Sequence, residues 1–293
     1  MVEQGTSGKC PEIAPPVNHL PLSVVVLAKN EEENLPRCLS ALSFTNDVLV
    51  IDDFSNDQTS LVAEQCGARV LKHRFTSFAD QRNWGQENGG VKYNWVLHLD
   101  ADEVVTSALV KEISSKLSEC TTDSAGFYLC FKTMFMEKWV RRSATFPVWI
   151  LRLVNRHRVR FLARGHGEAY EYHGSLGYVR EPFLHYNFSK GLTHWFDKHN
   201  RYSMIEARSC VQEFGRNGIK WRELFAGDPV RRRKELKRLS FRFPFRPWLK
   251  FLYMYVLRMG FLDGFPGLTY CTLQAIYEYM ICLKIKEIRR GSV

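Results

Sequence analysis

The sequence predicts an α/β fold, with a doubly wound sheet in the first half of the chain and a helical extension in the second. Three observations carry this. Short apolar, β-branched runs alternate with helical stretches as far as residue 100, and carboxylates collect where two of those runs end. Beyond residue 190 the strand signals give way to longer helical patterns.

The elements follow in order. Leu22 to Ala28 reads Leu-Ser-Val-Val-Val-Leu-Ala, the composition of a strand buried on both faces. Asn30-Glu31-Glu32-Glu33 then offers a cap and an acidic first turn to a helix carrying Leu35, Leu39 and Leu42 at helical spacing. A second strand, Val48 to Ile51, ends in Asp52-Asp53. The turn residues after it lead to a helix from Gln58 to Cys66, with Asp57 as its N-cap. Gly67 stops that helix, Ala68 to Lys72 forms a third strand, and a polar helix spans Ala79 to Asn88. Asn94 to Leu99 is a further apolar run, and it ends abruptly in Asp100-Ala101-Asp102-Glu103, ahead of a helix starting near Thr106. Later strands are expected at Phe127–Thr133 and Val148–Val154, and helices at Leu192–Phe214, Pro247–Met259 and Leu268–Ile288. The implied division is a lead-in over residues 1–20, an α/β domain over 21–190 and a helical, basic and aromatic region over 191–293.

Composition narrows the function. The 293 residues carry a formal net charge of +10, which calls for an anionic partner: nucleic acid, anionic lipid or the phosphates of a sugar nucleotide. Nucleic acid fits poorly, because no helix-turn-helix, RNA-recognition or zinc pattern appears and the strand-end carboxylates would repel its phosphates. Eight cysteines are scattered without a C-x-x-C pair, as expected of buried free thiols in a reducing compartment rather than of zinc ligands. The N-terminal residues lack an apolar core of the signal-peptide kind. Gly264 to Leu283 is mostly apolar but contains Glu278, so it reads as a packed or interface-lying helix rather than a span. Neither G-x-G-x-x-G nor a Walker lysine loop follows any strand.

The Asp100/Asp102/Glu103 cluster is the sharpest feature. Three carboxylates within four residues repel one another at the edge of a core unless a cation sits among them. A hard divalent ion shared with a diphosphate is the natural candidate, and a solvated turn capping the next helix is the plain alternative. In doubly wound sheets ligands bind beyond the carboxyl ends of the strands, where both Asp52-Asp53 and this cluster fall.

An ordered set of segments then identifies a family. Ser23-Val24-Val25-Val26-Leu27-Ala28-Lys29-Asn30-Glu31, Val50 to Thr59, Gln81-Arg82-Asn83, Leu97 to Glu103, Leu184-His185-Tyr186, Lys198 to Ser203 and Gly260-Phe261-Leu262-Asp263-Gly264 run in family order. Together they resemble the GT-A nucleotide-sugar transferases of glycosyltransferase family 2, particularly the lipopolysaccharide-core β-1,4-glucosyltransferase branch.

The resemblance implies an inverting hexosyl transfer from a nucleoside-diphospho-sugar, UDP-hexose by this reading, to a glycan or lipid-linked acceptor. It implies a divalent cofactor, Mg²⁺ or Mn²⁺, on Asp102, with Asp100 nearer the ribose or the metal's waters. Asp52 would hydrogen-bond the base, or else cap its turn. Lys29 and Glu31 would lie beside the nucleotide, Arg82 would meet a phosphate or a base edge, and Arg152 would reach the diphosphate or else form a structural ion pair. The general base is expected in Arg164-Gly165-His166-Gly167-Glu168, where an inserted glycine separates the histidine and glutamate that adjoin in relatives. Glu168 leads as that base, with Glu171 and His166 behind it. The basic run from Arg231 to Lys250, interleaved with Phe241, Phe243, Phe245 and Trp248, predicts docking on an anionic membrane from the cytoplasmic side. A nucleotide-sugar-binding scaffold without catalysis is the rival reading that the altered Glu168 spacing keeps open.

Overall fold

The computed structural model describes residues 19–164, 167–214, 228, 232 and 245–291. Most of the N-terminal lead-in, His166 and the basic run other than Arg232, Arg246 and Lys250 lie outside the described residues. The chain divides into two compact units, one reaching Lys132 and taking in Phe146–Ser189, the other made of Thr133–Thr145 and the chain from Lys190 onward.

In the first unit the elements are β1 (Leu22–Ala28), α1 (Leu35–Ser40), β2 (Val48–Asp52), α2 (Thr59–Gln65), β3 (Arg69–Lys72), α3 (Phe78–Asn88), β4 (Trp95–Asp100), β5 (Glu103–Val104) and α4 (Ser107–Glu119). There follow β6 (Ser124–Phe135), whose last residues belong to the second unit, then β7 (Lys138–Trp139) in that unit and β8 (Trp149–Asn155), β9 (Val159–Arg164), β10 (Gly167–Tyr172), β11 (Ser175–Tyr178) and β12 (Phe183–His185) in the first. Among the described residues the main sheet runs β3-β2-β1-β4-β8-β6-β12-β5, and β9 and β10 form a separate hairpin.

The sheet is mixed rather than wholly parallel. β3, β2, β1 and β4 are parallel, with Val26 opposite Val50 on one side and opposite Leu99 on the other. β8 is antiparallel to both β4 and β6. α4 therefore acts as the crossover that returns β6 parallel to β4 one position away, and β8 fills the gap running backwards. Residues of β1 alternate between two cores. Val24 and Val26 pack with Leu97, Leu99, Leu109 and Ile113 on one face, while Val25 packs with Leu49, Ile51, Val96 and Phe161 on the other.

Helix boundaries follow local chemistry. Ser77 Oγ accepts the Asp80 N–H and Thr106 Oγ1 accepts that of Leu109, which starts α3 and α4 as N-caps do. Asp57 Oδ1 accepts the N–H of Thr59, at the first residue of α2, at 3.0 Å. Asn30 does not cap α1, which begins only at Leu35 and has no acid in its first turn. Gly85 lets α3 lie close on the sheet, since a Cβ there would come within 2.6 Å of Ile51 Cδ1. That close approach brings Arg82, one turn earlier, over the end of β4.

The second unit contains α5 (Gly191–Phe214), α6 (Arg246–Leu252) and α7 (Gly264–Arg289). The helix expected over Pro247–Met259 changes to a π turn at Tyr253–Leu257 and is followed by a 3-10 turn at Gly260–Asp263. Asp263 Oδ2 accepts three hydrogen bonds, from the N–H groups of Arg142 and Ser143 and from Ser143 Oγ, so the Gly-Phe-Leu-Asp-Gly segment is a structural clasp. Lys284 of α7 donates to Asn200 Oδ1 at 2.6 Å and Ser203 Oγ at 2.8 Å on α5, giving the Lys198–Ser203 segment a packing role as well. Glu278, the charge that interrupts the apolar stretch of α7, lies 2.8 Å from Arg246. No described helix is long and apolar enough to cross a membrane. The seven described cysteines are all free thiols.

Candidate active site

Two groups of carboxylates lie at the carboxyl end of the parallel strands. At β2, Asp52 is fully buried. Its Oδ1 accepts both the N–H and the hydroxyl of Ser55, and its Oδ2 accepts from Ser60 Oγ at 2.9 Å. The turn it ties is locked to the loop after β1. Asn30 and Phe54 both adopt positive φ, Asn30 N–H donates to Ser55 Oγ, and Asn30 Oδ1 accepts from Asn56 N–H. Lys29 Nζ reaches the carbonyls of Asp53 and Phe54 and the Asp53 carboxylate at 3.4 Å. Glu31 anchors the same loop: its N–H donates to Thr59 Oγ1, and its Oε2 accepts from Asn34 Nδ2 at 2.6 Å. Strained backbone at both strand ends, held by side-chain hydrogen bonds, leaves the Phe54 ring exposed beside the Arg74 guanidinium, 5.4 Å from the ring centre.

At β4 the chemistry differs. Charges alternate along one chain of contacts: Glu168, Arg82, Asp100, Arg152, Glu103. Arg82 Nε donates to Glu168 Oε1 at 2.7 Å and its Nη2 to Asp100 Oδ1 at 3.0 Å. Arg152 Nη2 reaches Asp100 Oδ2 at 2.9 Å and Glu103 Oε1 at 3.0 Å. Arg152 is aimed there by an irregularity. Phe127 pairs with Leu153 and Tyr128 with Leu151, so Arg152 is the extra residue of a β-bulge, and the side chain is turned toward the acids.

The electrostatics follow from burial. Burial lifts the Asp100 carboxyl above its usual range against the pull of Arg82, and lifts Glu103 further, with Asp100 and Asp102 adding to the effect. Burial would lower Arg82, but Asp100 and Glu168 outweigh it and hold the guanidinium charge firmly. Buried His98 beneath this network is held well below its ordinary range by burial and then by Arg82, so it is neutral. The buried Nη1 of Arg82 and the Nε and Nη1 of Arg152 have no hydrogen-bond partner within the protein. Buried guanidinium N–H groups left unspent beside a strand end suit an incoming oxyanion.

Asp102 lies beside His185, with Oδ2 and Nε2 3.5 Å apart. The β5–β12 ladder makes the pair, opposing Glu103 to His185, while Tyr186 N–H donates to the Asp102 carbonyl at 2.8 Å. Among the described residues no group of three or more His, Cys, Asp and Glu side chains is arranged to hold a metal by itself. The oxygens of Asp100 are already engaged by Arg82 and Arg152. The donor set that fits a divalent ion is therefore the Asp102 carboxylate with the His185 imidazole, a sparse pair of the kind that shares an ion with substrate phosphates. Of the bases expected from sequence, Glu168 is at the site, and Glu171, three residues on, is exposed on the other face of the hairpin. His166 lies outside the described residues.

The sequence profile of glycosyl transferase family 2 matches residues 23–186, more than half of the chain and every strand-end group above. The chain is a family 2 glycosyltransferase. It is 22% identical over 286 residues to an uncharacterised glycosyltransferase of Rickettsia typhi, covering 92% of this chain and 88% of the relative. It is also 22% identical to the lipopolysaccharide core biosynthesis glycosyltransferase LpsC of Rhizobium meliloti, over 92% of this chain and 93% of that one. Among solved structures, residues 1–349 of TarS from S. aureus align at a TM-score of 0.42 and 14% identity, covering 92% of this chain and 91% of that solved chain. Glucosyl-3-phosphoglycerate synthase of Mycobacterium tuberculosis aligns at 0.44 and 14%, over 64% of this chain and 77% of the synthase. The mixed sheet and the helical C-terminal region are those of a GT-A glycosyltransferase.

Within this glycosyltransferase, Arg82, Asp100, Arg152 and Glu168 come together in one network, and Asp102 stands at its edge. Lys29, Glu31 and Asp52 gather at the neighbouring strand ends, where their polar atoms hold the loops in place. Two groups were not singled out for chemistry by sequence, and one acid that was, Glu103, has a partner the sequence did not name. His185 entered only within the Leu184-His185-Tyr186 segment, although a histidine in that segment was a usable signal. Phe54, sitting between Asp53 and Ser55, carries an exposed ring where polar turn residues prevail, and that too was visible. Glu103 as a buried partner of Arg152 was not, since 49 residues separate them.

Proposed function

We propose that this family 2 enzyme is an inverting hexosyltransferase, moving a sugar from a nucleoside-diphospho-sugar, UDP-hexose in the first instance, to a glycan or lipid-linked acceptor of cell-surface polysaccharide or lipopolysaccharide core. The observation that carries it is the pair of buried guanidinium groups, Arg82 and Arg152, fixed by Asp100, Glu103 and Glu168 with N–H groups to spare.

In this reading the nucleotide lies across the ends of β1 and β2. Its base rests near the exposed Phe54 ring, with Asp52 acting through the turn it ties and Lys29 and Glu31 setting the loop. The diphosphate lies beside the edge formed by Arg82 and Arg152. Their charges are held in place by Asp100, Glu103 and Glu168 before substrate arrives, so their field acts on the negative charge as it develops on the leaving group. Glu168 takes the proton of the acceptor hydroxyl. The new bond forms from that oxygen to the anomeric carbon as the bond from the anomeric carbon to the phosphate oxygen breaks, which inverts the centre. Arg82 orients the Glu168 carboxylate by holding Oε1. A divalent cation on Asp102 and His185, when bound, supplies Lewis-acid neutralisation of the departing diphosphate.

The second unit supports a membrane-bound acceptor. Its segment 245–262 carries Lys250 and Arg258 besides the Glu278-paired Arg246 and no acidic residue, and exposes Trp248 (70%) and Leu257 (75%) beside Leu249, Leu252 and Tyr253. Cations beside exposed aromatic and aliphatic groups suit the headgroup region of an anionic bilayer. The deciding experiment screens UDP- and other nucleotide hexoses with Mn²⁺ or Mg²⁺ and follows nucleoside diphosphate release. Release that requires the cation and rises with acceptor is expected, and no release from any donor would refute the reading.

A further inference from the structure

The reaction as described leaves a set of aromatic side chains beside Glu168 without a role. Their rings touch in series. Phe161 meets Tyr170 edge-on at 5.7 Å between ring centres, Tyr170 meets Tyr128 at 6.4 Å, Tyr128 stacks on Tyr178 at 5.3 Å, and Tyr178 and Trp149 stand at right angles with centres 5.0 Å apart. The inner end abuts the reaction centre. Phe161 is 1% exposed, lies 6.0 Å from the Arg82 guanidinium carbon and is edge-on to His98. Tyr170 is two residues from Glu168 on β10, so the two side chains leave the strand on one face. The outer end is open to solvent, with Tyr178 53% and Trp149 36% exposed. Because β8 runs antiparallel to β4, Trp149 at its start lies at the end of the sheet where β4 delivers Asp100.

A row of rings that passes from buried to exposed, starting at the proposed base, differs from a core cluster. Exposed ring faces set together in water are unfavourable until something covers them. A pyranose ring has the matching chemistry: one face carries polarised C–H groups that an aromatic face attracts, and its rim of hydroxyls stays hydrated. Tyr hydroxyls and the Trp indole N–H offer polar partners at the edge. We propose that Trp149 and Tyr178, standing at right angles, form the floor and wall of a platform on which a pyranose ring of the acceptor stacks, so that the sugar chain is held with its accepting hydroxyl toward Glu168. This rests on the glycosyl-transfer reading and adds to it that the acceptor presents a sugar, not a bare lipid or small polyol, next to the accepting position.

The test uses the full chain labelled with ¹⁵N at the tryptophan indoles, titrated with cellobiose, lactose and, as a polyol control, sorbitol. The Trp149 indole signal is identified by its loss in Trp149→Phe. Expected is a saturable shift of that signal with at least one disaccharide and none with sorbitol. Binding should weaken by about tenfold or more in Tyr178→Ala and persist in Tyr178→Phe, which keeps the ring. A Trp149 signal unmoved by both disaccharides, or moved equally by sorbitol, overturns the platform. Hydrolysis of UDP-glucose by the wild-type protein with Mn²⁺ is measured alongside. If hydrolysis occurs without a sugar-dependent shift, only the platform fails; if no nucleotide hexose of the donor screen is consumed, the transfer reading fails.

Discussion

The strands β2 and β4 end alike in sequence and unlike in chemistry. Asp52 and Asp53 find their partners within the loops that hold them, in Ser55, Ser60, Lys29 and the N–H of Phe75, so the end of β2 is closed on itself. Asp100 and Glu103 find theirs in guanidinium groups from α3 and β8, whose remaining N–H groups are unspent. Acids held by hydroxyls and backbone make a scaffold. Acids held by arginines form a charged network of three carboxylates and two guanidinium groups, beside which the proposed diphosphate and its cation would lie.

Substitutions at the two ends should therefore separate stability from turnover. The largest effect is expected at β4. Asp102→Asn should lower acceptor-dependent release of nucleoside diphosphate by about 10³-fold, in the range of a lost electrostatic stabiliser, with little change in thermal unfolding. Equal loss on Asp52→Asn would erase the contrast, since that change is expected to retain most turnover and to cost about 1–2 kcal/mol of stability, measured by denaturant unfolding. Glu168→Gln comes next. Transfer should fall by about 10²–10⁴-fold while donor affinity, read by calorimetry, stays near wild type. Near-normal turnover would move the base elsewhere.

Arg82→Ala tests the network itself. Removing one member leaves Asp100 and Glu168 without their shared partner, so unfolding should become easier by about 3–5 kcal/mol, and Arg82→Lys should recover only part of this because one ammonium cannot reproduce the fork. The smallest effect lies away from the site, at Asp47. Burial would raise its carboxyl, but hydrogen bonds from Lys92 N–H, Ser23 and Arg69, together with the charge of Arg69, hold it below the usual range. Its contribution is thus present above the ordinary carboxylate value and fades as pH falls below about 4. Asp47→Asn should flatten that acid limb of the stability profile. An unchanged limb would assign it to other carboxylates.

Much of this was legible in the sequence, and the limits have a physical cause. Buried parallel strands announce themselves by β-branched runs, so β1, β2 and β4 and the acids at their ends were readable locally. Arg82 stood out as a cation on a polar helix beside Gln81 and Asn83. What fills a carboxylate's coordination was not readable. Asp52 is engaged by Ser55 and Ser60, near in sequence but chosen by turn geometry, while Asp100 is engaged by Arg152, 52 residues away. The antiparallel insertion of β8 was missed for a similar reason, because strand direction is set by the crossover through α4 and leaves no mark on the composition of the strand.

The bulge at Arg152 has a consequence for how this sheet can vary. A chain lacking one residue at that point could pair β6 with β8 without interruption, and would be the more regular protein. Its flanking residues Leu151 and Leu153 would keep their faces, but the extra position that turns a guanidinium toward Asp100 would be gone. Insertions and deletions in this strand are therefore judged by two criteria that disagree, smooth hydrogen bonding and the aim of one side chain. Length changes here should be rarer among active variants than in the surface loops on either side.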